Sequence, residues 1–191
     1  MSNKIKYGLK NVHYAVATIA TNGSATYGTP AAIPGAVSLS LDPQGDTTKF
    51  YADNIVYFTS VANNGYEGDL EVALIPDTFK KDVLGYITDA GGVLVEDVNA
   101  AATHFALTFQ FEGDVNATKH VLYNCTAARP SASGSTKEDT IEPQTETISI
   151  TATSIYNASL NKDIVKAEAN QATASTAFAA WETAIYTATS A

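Results

Sequence analysis

Apolar residues recur at every second position along most of this chain, the spacing of strands with one buried face. Residues 12–19 carry Val12, Tyr14 and Val16 on one side and His13, Ala15 and Ala17 on the other, and an Asn22-Gly23 turn ends the run. Gly28, Pro30, Pro34 and Gly35 make 24–35 a predicted loop. Val37, Leu39 and Leu41 then alternate with Ser38 and Ser40 until Pro43 and Gly45. In 66–75, Leu70, Val72 and Leu74 are expected to point inward and Asp69, Glu71 and Ala73 outward. A short strand is predicted at 93–97. The cleanest alternation is 103–112, with Phe105, Leu107, Phe109 and Phe111 inward and His104, Ala106, Thr108, Gln110 and Glu112 outward. A turn over Gly113 to Ala117 leads to 118–128, where Val121, Tyr123, Cys125 and Ala127 are read on one face. The polar stretch from Pro130 to Pro143 reads as a flexible loop. Ile148, Ile150 and Ala152 mark a last long strand.

Three stretches depart from this pattern. Phe79, Val83, Tyr86 and Ile87 form a stripe at helical spacing, so a helix is predicted at about 78–87, opened by Pro76 and capped by Asp77 or Thr78. Residues 170–188 are Ala-rich, with Phe178, Trp181, Ala184 and Ile185 at helical spacing, and read as a short docked helix or a partly ordered tail. Residues 46–65 hold Phe50, Tyr51, Ile55, Tyr57, Phe58 and Val61 between Gly45 and Asn63-Asn64-Gly65. This is a long hairpin with more aromatic surface than a free loop carries. It is read as an interface, the alternative being that it folds onto its own core. The expected architecture is mainly β: an antiparallel β-sandwich or barrel-like sheet with one flanking α-helix and a long hairpin arm. Residues 1–156 form the sandwich domain and 157–191 a C-terminal extension.

Charge narrows the function classes. The 191 residues include 20 acidic and 11 basic ones, a formal net charge of −9, and Arg129 is the single arginine. Gripping nucleic acid requires Lys and Arg to neutralise phosphates, so DNA is expected to be repelled. No apolar run approaches the roughly 18 residues of a membrane span, and the first ten residues lack the apolar core of a secretory signal. Cys125 is the only cysteine, which leaves no internal disulfide. The expectation is synthesis and folding in a cytoplasm.

Candidate chemistry is sparse. The glycines do not group as a phosphate-binding loop, and no Cys-x-x-Cys is present. His13, His104 and His120 are read as solvated. His104 and His120 flank one hairpin, so a shared metal is the competing reading. Asp69 and Glu71 share a strand face and are read as a solvated pair rather than acid and base. Cys125 is read as core, with no base poised beside it. No catalytic, cofactor-binding or metal-ligating set is assigned.

Several segments resemble one family when taken in order. They are Phe50-Tyr51-Ala52-Asp53-Asn54, Gly65-Tyr66-Glu67-Gly68-Asp69-Leu70-Glu71, Pro76-Asp77-Thr78-Phe79 and Asp82-Val83-Leu84-Gly85. Gly92-Val93-Leu94-Val95-Glu96-Asp97, His104-Phe105-Ala106-Leu107, His120-Val121-Leu122-Tyr123-Asn124-Cys125-Thr126-Ala127 and Pro143-Gln144-Thr145-Glu146-Thr147 follow. The chain resembles the major tail protein, or tail tube protein, of long non-contractile-tailed bacteriophages of Gram-positive hosts. The likeness covers about residues 5–156, with an echo around Trp181 to Tyr186. It implies a virion tail subunit, made in the host cytoplasm, that stacks as hexameric rings into a tube around a tape-measure protein and meets tail-end proteins. Double-stranded DNA would leave through the lumen without specific binding, and no membrane is involved. On this reading Phe50, Tyr51, Asp53, Asn54, Ile55, Tyr57 and Phe58 are arm residues at a subunit interface. Asp69, Glu71 and Glu112 are candidates to face the lumen, the alternative being the outside of the tube. A non-catalytic β-sandwich binding module of a phage tip or cell surface is the competing reading.

Overall fold

A computed structural model describes residues 3–136 and 142–190. The strands, in chain order, are β1 (Lys6–Ile19), β2 (Ala25–Tyr27), β3 (Ala31–Ala32), β4 (Ala36–Gln44), β5 (Thr47–Ala52), β6 (Ile55–Val61), β7 (Gly65–Val72), β8 (Ile87–Thr88), β9 (Leu94–Val95), β10 (Phe105–Gly113), β11 (Thr118–Ala127), β12 (Glu146–Thr153), β13 (Ile155–Asn157), β14 (Lys162–Ile164) and β15 (Lys166–Asn170). Helix α1 (Asp77–Asp82) lies between β7 and β8, and α2 (Ser175–Ala180) follows β15. The main sheet runs β2-β1-β10-β11-β12-β7-β4, with β3 also on β1 and β15 also on β11, and every pairing is antiparallel.

β11 belongs to two layers. Its first half, Thr118 to Leu122, pairs with β15, and its second half, Asn124 to Ala127, pairs with β12. The β10–β11 register slips between these halves, and such a bulge bends a strand. β1, β10 and β15 therefore form one layer and β12, β7 and β4 the other. Between them lies the main core: Val12, Tyr14, Phe105, Leu107 and Phe109 from the first layer meet Leu70, Val72, Ile148 and Ile150 from the second. The bulge also corrects the predicted face of β11. Leu122, Cys125 and Ala127 enter this core, whereas Val121 and Tyr123 point to the opposite side.

That opposite side is not solvent. Ala15, Ala106, Val121 and Tyr123 are covered by Ile155, Ala169, Trp181 and Ile185 in a second core. Thr108 and Gln110, predicted to face out, are buried too. Small and polar residues alternate with aromatics along β10 because the C-terminal segment packs directly on that face. The Trp181 indole N–H donates to the His120 carbonyl at 3.2 Å. The ammonium of buried Lys119 lies 2.8 Å from Glu182 and donates to the Phe178 carbonyl.

Several expectations change at element ends. α1 stops at Asp82, well short of 87. Gly85 turns the chain at φ +74°, and a Cβ there would meet the Ala100 Cβ at 2.6 Å. Ile87 is consequently exposed on β8, while Phe79, Val83 and Leu84 are buried. Pro76, in extended conformation, is the N-cap, and no side chain caps the helix. Leu74 is exposed because the β7 ladder ends at Val72, and Ile75 enters the core instead. Val37 is exposed at a register slip between Ala36 and Ser38. The predicted loop at 24–35 contains β2 and β3. Pro43 lies within β4, an edge strand, where a missing N–H breaks no ladder. The loop expected over 130–143 lies partly outside the described residues.

Candidate functional site: arm and acidic sheet face

β4 and β7 continue beyond the sheet as a free-standing ribbon. Asn64 N–H donates to the Gln44 carbonyl and Ala62 N–H to the Asp46 carbonyl, so the β4–β7 ladder runs on into β5–β6. Gly45 permits the join, since a Cβ there would sit 1.9 Å from the Ala62 carbonyl oxygen. At the tip Asp53 and Asn54 both take positive φ, 51° and 63°. This is the backbone of a tight two-residue hairpin turn, and Asp and Asn tolerate it better than most side chains. Phe50 lies opposite Phe58, and a register irregularity follows at Tyr51 and Val56. Phe50, Tyr51, Ile55, Tyr57 and Phe58 are all exposed, Tyr57 to 70%. An isolated two-stranded hairpin is marginal in water. This hairpin also exposes large apolar side chains, a kind of surface that in general marks interaction sites.

The second feature is the outer face of β4, β7 and β12. Ser38, Ser40 and Asp42 stand beside Glu71, Asp69 and Glu67, which stand beside Thr147, Ser149 and Thr151. None of these three strands carries a Lys or Arg. The Ser149 hydroxyl donates to Asp69 at 2.7 Å. Ser38 and Thr145 donate to the two oxygens of Glu71 at 2.8 and 2.7 Å. Those hydrogen bonds, Thr145 first, hold the Glu71 carboxyl below its ordinary pKa. The face is thus hydroxyl and carboxylate throughout. Glu67 and Asp42 belong to it by the same alternation that singled out Asp69 and Glu71. Glu112 does not: it lies on β10 in the other layer, half-buried on the face it shares with buried Gln110, and forms an ion pair with Lys10.

Two of the histidines differ from their expected solvation. His104 is half-buried and bonded to Asn124 at 2.7 Å. His120 stacks on Phe109 with ring centroids 5.1 Å apart. Burial first, then the Lys166 charge, lowers its pKa from 6.5 to about 4, against the opposing pull of Glu168. Its Nδ1 is 3.6 Å from Glu168, but a neutral imidazole makes no ion pair there. Because the folded pKa is below the unfolded one, the unfolded chain binds the extra proton as pH falls. Stability from this source is full above about 6.5 and is lost as pH falls toward 4. His120→Gln should flatten that part of the stability–pH curve, read as the urea midpoint. An unchanged slope would show that His120 is not its source.

Cys125 is fully buried, and desolvation pushes its thiol pKa up, away from nucleophilic use. Among the described residues, no three His, Cys, Asp or Glu side chains gather as a metal site. No helix among them is long and apolar enough to cross a membrane.

A family model described as phage tail tube protein matches residues 1–189. The chain belongs to this family. Comparison with curated proteins gives no match. The tail tube protein is a structural component of the virion tail, and its subunits assemble into a tube. The match runs through the C-terminal segment as well as the sandwich, so the covering of β10 and β11 by Trp181 and Ile185 lies within the matched span.

Proposed function

We propose that this tail tube subunit assembles into stacked hexameric rings around a tape-measure protein, closed by tail-end proteins, and that the acidic face of β4, β7 and β12 lines the lumen. The arm reaches a neighbouring subunit and becomes buried there. Residues 1–156 build most of the tube wall, and 157–191 are an extension that adds β15 to its outer layer and clamps over it. The observation that carries this reading is the composition of one face: hydroxyls and carboxylates across three adjacent strands, with no basic residue. In a ring, each carboxylate is repeated by symmetry, and low-dielectric walls focus the resulting field inward. DNA carries about one negative charge per 1.7 Å of its axis. A wall of Lys and Arg would hold it, whereas this face repels it and offers only hydroxyls to its hydration shell. Glu112, neutralised by Lys10, contributes little to such a field.

The test is the double change Asp69→Lys and Glu71→Lys. Both side chains lie outside the two cores, so folding and tube formation are expected to persist. DNA release from purified particles is expected to slow or stop. Normal tubes with normal release would remove this face from the lumen.

A further inference from the structure

A cleft of about 180 Å³ opens at one end of the sandwich, where β4 and β7 face β10 and β11. Its walls are Leu39, Leu41, Tyr66, Phe109 and Phe111, and the His120 ring lies at its side. Lys6 and Lys166 also line it, from β1 and β15. The Lys6 ammonium lies 4.8 Å from the Phe111 ring centroid, and that of Lys166 lies 5.4 Å from the Tyr66 centroid. Among the described residues neither lysine pairs with a carboxylate, and each lies against an aromatic ring of the cleft. In a chain with a net charge of −9, an apolar slot bordered by two unpaired cations is a distinct surface.

The complementary surface is the arm tip. It presents Asp53 at the turn with Tyr51, Ile55 and Tyr57 beside it, all exposed except for the turn backbone's own bonds. The arm cannot serve its own cleft. Tyr66 and Leu41 stand at the ribbon's base, and the continuous ladder carries the tip about 20 Å away, at roughly 3.4 Å per residue over β5.

We propose that the cleft receives the arm tip of a second copy of this chain, with Tyr57 in the slot and Asp53 between Lys6 and Lys166. The inference rests on the arm being an assembly element and adds the place where it docks. Tip and cleft are different surfaces of the molecule, so the contact is head-to-tail. Such a contact propagates from copy to copy rather than closing as a dimer. The aromatic contact supplies burial, and the ion pairs set the register.

Engineered cysteines test this directly, because native Cys125 is buried. Tubes of the Asp53→Cys, Lys166→Cys double variant, mildly oxidised, are expected to give a ladder of trimers and longer species on a non-reducing gel. The single variants should run as monomers. Double-variant tubes that stay monomeric overturn the assignment. So does a ladder that stops at dimer, or dimers from Asp53→Cys alone, which would mean tip-to-tip contact. Should the double variant not assemble, charge exchange decides. Asp53→Lys is expected to raise the concentration needed for assembly about tenfold or more, and adding Lys6→Asp and Lys166→Asp to restore it. All three side chains are exposed, so folding is spared. Loss without restoration, or no loss, refutes docking in this cleft. The arm's general role fails separately, if a chain without the arm still polymerises.

Discussion

A chain in which residues 46–64 are replaced by a short Gly-Ser turn is expected to fold as a stable monomer and to form no tubes. Neither core contains an arm residue, so removing β5 and β6 takes no buried side chain away. Gln44 and Gly65 are paired neighbours in the ladder, so a turn of two to four residues closes the shortened hairpin. A shorter loop also lowers the entropy lost on closure, though only slightly. Near-native circular dichroism and a melting temperature within a few degrees of the parent are therefore expected. Assembly should be abolished outright, because the lost surface includes the exposed Phe50, Tyr51, Ile55, Tyr57 and Phe58. Sedimentation velocity and negative-stain microscopy read the result. Tubes of normal length would show that the arm is not needed for assembly.

Phe79→Ala is expected to cost about 3–5 kcal/mol of unfolding free energy, the range for truncating a large aromatic side chain in a core. Phe79 is fully buried and packs edge-on against Tyr14 at 5.0 Å and Phe105 at 5.5 Å, joining α1 to the first layer. The Tyr14 hydroxyl donates to Asp82 at 2.8 Å, so the same cavity loosens a part-buried hydrogen bond at the helix end. Ile87→Ala is the internal comparison. It belongs to the same sequence stripe but is exposed on β8, so its change should stay within about 0.5 kcal/mol. Urea unfolding measures both. A loss below about 1 kcal/mol for Phe79→Ala would place the stripe against solvent.

The contrast between Phe79 and Ile87 shows where periodicity stops being informative. A stripe at helical spacing identifies which residues would share a face if the helix continued, but a short helix is held by packing more than by propensity. Gly85 turns the chain before the last members of the stripe can use that spacing. At β10 the failure is of another kind. Phe105, Leu107, Phe109 and Phe111 lie toward the main core as predicted, yet Ala106, Thr108 and Gln110 are buried as well. Alternation reports that two faces differ, and it cannot report that a segment from 155–185 covers the more polar one.

The β class, the antiparallel sandwich, the aromatic hairpin, the acidic face of β7 and the family were all legible along the chain. Each of these is a local pattern or an ordered set of local patterns: period-two burial, turn residues, charge spacing. Only long-range packing set the bulge at which β11 passes from one layer to the other, the second core under Trp181, the neutral burial of His120 and the cleft that joins Lys6 to Lys166. Those features depend on residues far apart in the chain meeting across layers, and their contact energy leaves no periodic trace in the segment that carries either partner.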